Sequence, residues 1–146
     1  NGHERVVELL LQHGAGINKQ SSHGDTALML AAIHGHEQLI ELLLRRGADV
    51  NLQKSDGFTA LMGAAQEGHE RVVELLLRHG AEINQHDNKG VTALMFAAIP
   101  GHERVVEVLM QHGAEVDLQD SYGFTALVVA AIQGHAAVVL RLLRAG

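Results

Sequence analysis

Residues 57–89 read GFTALMGAAQEGHERVVELLLRHGAEINQHDNK, and the fold follows from this stretch and from how often it returns. Its opening Gly-x-Thr-Ala-Leu, at Gly57–Leu61, stands also at Gly24–Leu28, Gly90–Leu94 and Gly123–Leu127, each copy 33 residues from the next. Gly-His recurs at Gly2-His3, Gly35-His36, Gly68-His69, Gly101-His102 and Gly134-His135 with the same period. Gly-Ala recurs at Gly14-Ala15, Gly47-Ala48, Gly80-Ala81 and Gly113-Ala114. Four full registers and one partial register run without insertion or deletion, so the period marks a structural unit.

Within one period the chemistry prescribes a helical pair. Thr59 can cap a short helix through its hydroxyl, and Leu61, Ala64 and Ala65 fall on one face at helical spacing. Alanine on that face admits a second helix at close range. Gly68 ends the first helix, because glycine enters the left-handed region without a Cβ penalty. A second helix is expected over Glu70–Arg78, with its acid in the first turn and its base in the last, as the macrodipole favours. Val72, Val73, Leu75, Leu76 and Leu77 form more than one apolar stripe, which implies cover from two sides: its own partner and a neighbouring unit. Gly80 stops this helix, and Ala81–Asp87 leads through Asn88-Lys89-Gly90 into the next unit as a tight turn. Neither helix is long enough to be stable alone in water, so stability must come from stacking in an all-α solenoid.

Composition narrows the function. Of 146 residues, 47% are apolar and 19% charged, which suits a folded chain. Cysteine is absent, removing disulfides, thiolate nucleophiles and cysteine-based zinc sites together. Eleven Lys and Arg against seventeen Asp and Glu give a formal charge of −6, which argues against nucleic acid as the main partner. No apolar run is long enough to enter a bilayer as a span, and no signal-peptide pattern opens the chain; a cytoplasmic location is expected, with a nuclear one left open.

The pattern Gly-x-Thr-Ala-Leu-Met-x-Ala-Ala-x-x-Gly-His-x-x-Val-Val-x-Leu-Leu-x-x-Gly-Ala-x-Val-Asn resembles the ankyrin repeat, and the resemblance covers the whole chain. It implies an ankyrin-repeat solenoid divided as 1–23 (partial), 24–56, 57–89, 90–122 and 123–146. There are departures. Where the family usually has Thr-Pro-Leu-His, this chain has Met29, Met62, Met95 and Val128 in place of the histidine, which removes the hydrogen bonds that side chain makes and substitutes dispersion contacts. The family's turn aspartate is present as Asp87 and Asp120 but replaced by Ser21 and Lys54, so those two loops are expected to be less rigid. Pro100 should shorten or bend its helix. The chain opens mid-repeat, and Ala136-Ala137 replaces the polar pair seen at Glu70-Arg71 and Glu103-Arg104. We therefore expect a fragment of a longer array, the rival being self-association through an uncapped end.

No catalytic pattern is present. His-Glu occurs four times, but the position three after each Glu is Val7, Ile40, Val73 or Val106, so no HExxH helix exists, and neither a Walker loop nor a GxSxG elbow occurs. No cofactor and no metal are expected. The family resemblance places His3, His36, His69, His102 and His135 in the turn between helices, satisfying backbone groups; His13, His79 and His112 sit where helix C-termini favour partial positive charge. The resemblance also implies that asparagines such as Asn51 and Asn84 can be targets of an asparaginyl hydroxylase in animal cells, the alternative being that each amide pins its loop.

The same resemblance implies that inner helices and loop tips line a concave face that binds proteins. The candidate contact residues are His23, Asp25 and His34 in the second unit, Phe58 in the third, Val91, Phe96 and Ile99 in the fourth, and Tyr122, Phe124 and Ile132 in the fifth. These positions vary while the framework repeats, and they run from polar in the early units to apolar in the late ones. The expected function is a non-enzymatic protein- or peptide-binding module; the alternative is a structural, self-associating spacer array within a larger scaffold protein.

Overall fold

The computed structural model describes residues 3–145. Among them the chain forms α1 (Glu4–Gln12), α2 (Ala27–Ile33), α3 (Glu37–Arg45), α4 (Ala60–Glu67), α5 (Glu70–Arg78), α6 (Ala93–Ala98), α7 (Glu103–Gln111), α8 (Ala126–Ile132) and α9 (Ala136–Ala145). The only extended pairing among these residues is an isolated antiparallel bridge between His86 and Thr92. The shorter helices stack as an inner row, α2 on α4 on α6 on α8. The longer ones stack as an outer row, α1 on α3 on α5 on α7 on α9, and each inner helix packs on the outer helix that follows it.

Each inner helix begins at a threonine whose hydroxyl accepts the N–H three residues on, as in Thr59 with Met62 at 3.3 Å and Thr26 with Met29 at 3.2 Å. Ala31, Ala32, Ala64, Ala65, Ala97 and Ala98 are buried, and their small size is what lets the inner helices lie together. Met29, Met62 and Met95 are buried too, filling with flexible apolar volume the place the family gives to histidine. In the outer helix Glu70–Arg78, Val72, Val73 and Leu76 are fully buried and Leu75 and Leu77 partly so, which is the two-sided cover its composition demands. That helix closes at Gly80, where the Ala81 N–H reaches back to the Leu76 carbonyl at 3.0 Å. The helix before Pro100 is the shortest, ending at Ala98, one residue earlier in its register than α2 and α8.

The joints between repeats explain the Gly-His pairs. Gly68 has φ +77°, and a Cβ there would meet the His102 ring at 2.8 Å; Gly35 stands in the same relation to His69, and Gly101 to His135. The glycine of one repeat is thus the seat for the histidine of the next. Seated there, His69, His102 and His135 direct Nε2 at the carbonyls of Ile33, Gln66 and Ile99, at 2.9, 3.0 and 2.9 Å. A second ladder runs through asparagine: Asn18, Asn51 and Asn84 accept from the backbone N–H of Asp49, Glu82 and Glu115. Gln20 and Gln53 add a third, donating to the carbonyls of Gln53 and His86 in the following repeats. Together these bonds cross the joints between repeats.

Candidate recognition surface

Four loops turn into the inner helices, and all four make the same backbone turn. Ser21, Lys54, Asp87 and Asp120 each donate their N–H to the carbonyl four residues on and accept from the N–H three residues on. Asp87 Oδ1 also accepts from Lys89 and Val91, and Asp120 Oδ1 from Tyr122 and Phe124. Ser21 takes over this work with a hydroxyl, accepting from His23 at 3.2 Å and Asp25 at 3.1 Å. Lys54 cannot, and the carboxylate of Asp56 accepts from Phe58 instead. So the departures from the family's aspartate leave the turn geometry intact. The tips then stack: Asn88 donates its N–H to Asp56 and its side-chain amide to Ser55, and Ser121 donates to Lys89. This stacking sets the tip residues of successive repeats along one edge beside the inner helices.

The candidate residues fall into three environments. In the second unit they are largely satisfied: Asp25 pairs with Lys54 at 3.1 Å, and His34 directs Nδ1 at the Leu30 carbonyl and stacks on His36 at 5.9 Å. His23 is exposed at its tip. In the middle of the array the side chains pack inward. Position 63 is glycine where the other repeats carry Leu30, Phe96 and Val129, and Ile33 and Phe58 close over it; a Cβ at Gly63 would meet Ile33 at 2.7 Å and Phe58 at 3.3 Å. Phe58 meets Phe96 edge-on at 5.4 Å, with the Lys54 ammonium 5.9 Å from its ring. Val91 is half-buried against the core.

The third environment is open. Tyr122 is 77% exposed, Ile132 63%, Ile99 41% and Phe124 40%, and Tyr122 lies 6.3 Å from Phe124. The aromatic side chains therefore form two pairs, an inner one that consolidates the scaffold and an outer one that faces solvent. Gly63, the one position in its register without a side chain, leaves room for Phe58 of the inner pair. The Asp25–Lys54 pair has no signature in the sequence, since its members stand 29 residues apart at opposite ends of one unit.

The convex side is ordinary solvated helix: Glu41 with Arg45, and Glu74 with Arg78 and Arg71. Asn51 is held at both ends of its amide, accepting from Glu82 and donating to the Gly80 carbonyl at 3.0 Å, and Asn84 spans to Glu115 in the same way. Among the described residues no three His, Asp or Glu side chains converge as metal ligands, and no helix is long and apolar enough to cross a membrane.

A family model described as ankyrin repeats (3 copies) matches residues 1–87 and again residues 81–146. The chain belongs to the ankyrin-repeat family. No curated protein matches it. Ankyrin repeats are in general protein-interaction modules and in general not enzymes.

Proposed function

We propose that this ankyrin-repeat chain is a non-enzymatic module that binds a protein or peptide on the face formed by its inner helices and loop tips. The observation that carries the reading is the exposure of Tyr122, Phe124, Ile132 and Ile99 at variable positions of the loop tips and inner helices. Solvent-facing aromatic and aliphatic side chains on a rigid support are the type of anchor that dominates binding energy. Rigidity of that support, fixed by the histidine, asparagine and glutamine ladders, keeps the ordering cost of association low.

Chemical cross-linking of a partner captured by pull-down tests the location. Cross-links should map to tip and inner-helix residues between Ser55 and Gln133. Cross-links confined to the outer surface of α3, α5 and α7 would place recognition elsewhere.

A further inference from the structure

The bonds that run from loop to loop are not equal along the array. Between loops 48–56 and 81–89 the edge is closely laced. Asn51 accepts from the Glu82 N–H and donates to the Gly80 carbonyl, and Gln53 donates to the His86 carbonyl at 3.2 Å. Asn88 adds its backbone N–H, donated to Asp56, and its side-chain amide, donated to Ser55.

Between loops 81–89 and 114–122 two of these bonds have no counterpart. His86 stands in the register of Gln20 and Gln53, each of which donates both to the glycine carbonyl of its own loop and to the loop that follows. An imidazole cannot place two N–H groups on one nitrogen as an amide does, and His86 turns Nδ1 to the adjacent Asp87 carbonyl at 3.0 Å. Ser121 stands in the register of Asn88 and keeps only the backbone bond, to Lys89 at 2.8 Å. That bond and the Asn84–Glu115 pair hold this edge. Gln85 weakens it further. It occupies the register of Leu52 and Leu118, which pack against the core, yet its Oε1 is buried with no hydrogen-bond partner among the described residues. A buried acceptor left unpaired costs its full desolvation penalty in the closed arrangement.

The helix side of the same joint is intact. His102 directs Nε2 at the Gln66 carbonyl, Phe58 meets Phe96 edge-on, and α4 lies on α6. We infer that the third and fourth repeats form a hinge: loops 81–89 and 114–122 part while α4 and α6 stay packed, more readily than loops 48–56 and 81–89 part. Opening changes the spacing between the tips at Asn88-Lys89 and Ser121-Tyr122, so the loop edge carries one adjustable gap. The hinge stands independently of what the surface binds.

Native-state hydrogen exchange by NMR reads it at matched amides. Glu82 and Asn88 donate across the first edge, and Glu115 and Ser121 across the second. In the parent chain Glu115 and Ser121 should be at least about ten-fold less protected than their counterparts, while Gly63 in α4 and Phe96 in α6 keep their protection. Position along the array also affects protection, so repair of the loop decides. Gln85→Leu with His86→Gln gives loop 81–89 the Leu-Gln pair of Leu52-Gln53 and Leu118-Gln119. It should raise protection at Glu115 and Ser121 about ten-fold, leave Gly63 and Phe96 unchanged, and lift the melting temperature by about 2–6 °C. Conversely, Gln53→His should lower protection at Glu82 and Asn88 by a similar factor. Protection at Glu115 and Ser121 that ignores the repair, or Gln53→His without effect on Glu82 and Asn88, overturns the hinge. Gly63 and Phe96 exchanging in step with Glu115 and Ser121 would mean that the joint opens whole, and overturns it too.

Discussion

The surface of the second repeat and that of the fifth are built on the same backbone and do opposite things. In the second, Ser21 and Asp25 are tied into the loop, Lys54 reaches across to Asp25, and His34 is bound to its own helix. In the fifth, Asp120 holds the loop in the same turn, while Tyr122 and Phe124 in the loop and Ile132 at the end of α8 keep most or much of their surface open. One turn geometry therefore supports a self-satisfied surface in one place and an unsatisfied one in another. The lesson is that the framework fixes shape and the variable positions fix chemistry, with little exchange between the two.

If that separation holds, framework substitutions should cost the same wherever they fall. Leu43→Ala, Leu76→Ala and Leu109→Ala all remove a fully buried leucine from equivalent places in α3, α5 and α7. Each should destabilise by about 2–5 kcal/mol in urea titration, and a spread among the three much wider than about 1–2 kcal/mol would break the idea of a common scaffold. Next in size are the joints. Gly47 and Gly68 both have positive φ, but a Cβ at Gly47 meets nothing within 4 Å whereas one at Gly68 meets the His102 ring. Gly47→Ala should cost about 1–2 kcal/mol for backbone conformation alone, and Gly68→Ala measurably more by the same titration. Equal costs would mean the histidine seat carries no energy of its own.

Most of this framework was readable from the sequence because a period of 33 residues repeats every apolar, capping and glycine position. Thr59, Gly68 and Gly80 act locally, within one turn of a helix, so their residue types were enough to place the ends of α4 and α5. The joints were only half readable. Gly-His marks them, but that the glycine seats the histidine of the next repeat depends on a contact between residues 34 apart. The surface was least readable. Phe58, Phe96, Tyr122 and Phe124 look alike as residue types, yet two are packed and two are open: Phe58 closes over Gly63 and meets Phe96 of the next repeat, whereas Tyr122 and Phe124 have only each other as ring partners. Ser21 shows that a missing aspartate need not change the turn, since a hydroxyl accepts the same two N–H groups.

A smaller effect sharpens the contrast at the second repeat. A double-mutant cycle with Asp25→Asn and Lys54→Met should yield a coupling of no more than about 1 kcal/mol by thermal or urea unfolding, because both groups keep some contact with solvent. A coupling several times larger would make this surface part of the framework rather than a decoration on it.

The separation of scaffold from recognition is tested most directly at the other end, by measuring stability and partner capture on one sample of Tyr122→Ala with Phe124→Ala. The melting temperature should stay within about 2 °C of the parent, the change expected for substitutions at exposed positions, while capture of the partner is lost. Retained capture, or a melting temperature lowered by many degrees, would contradict it.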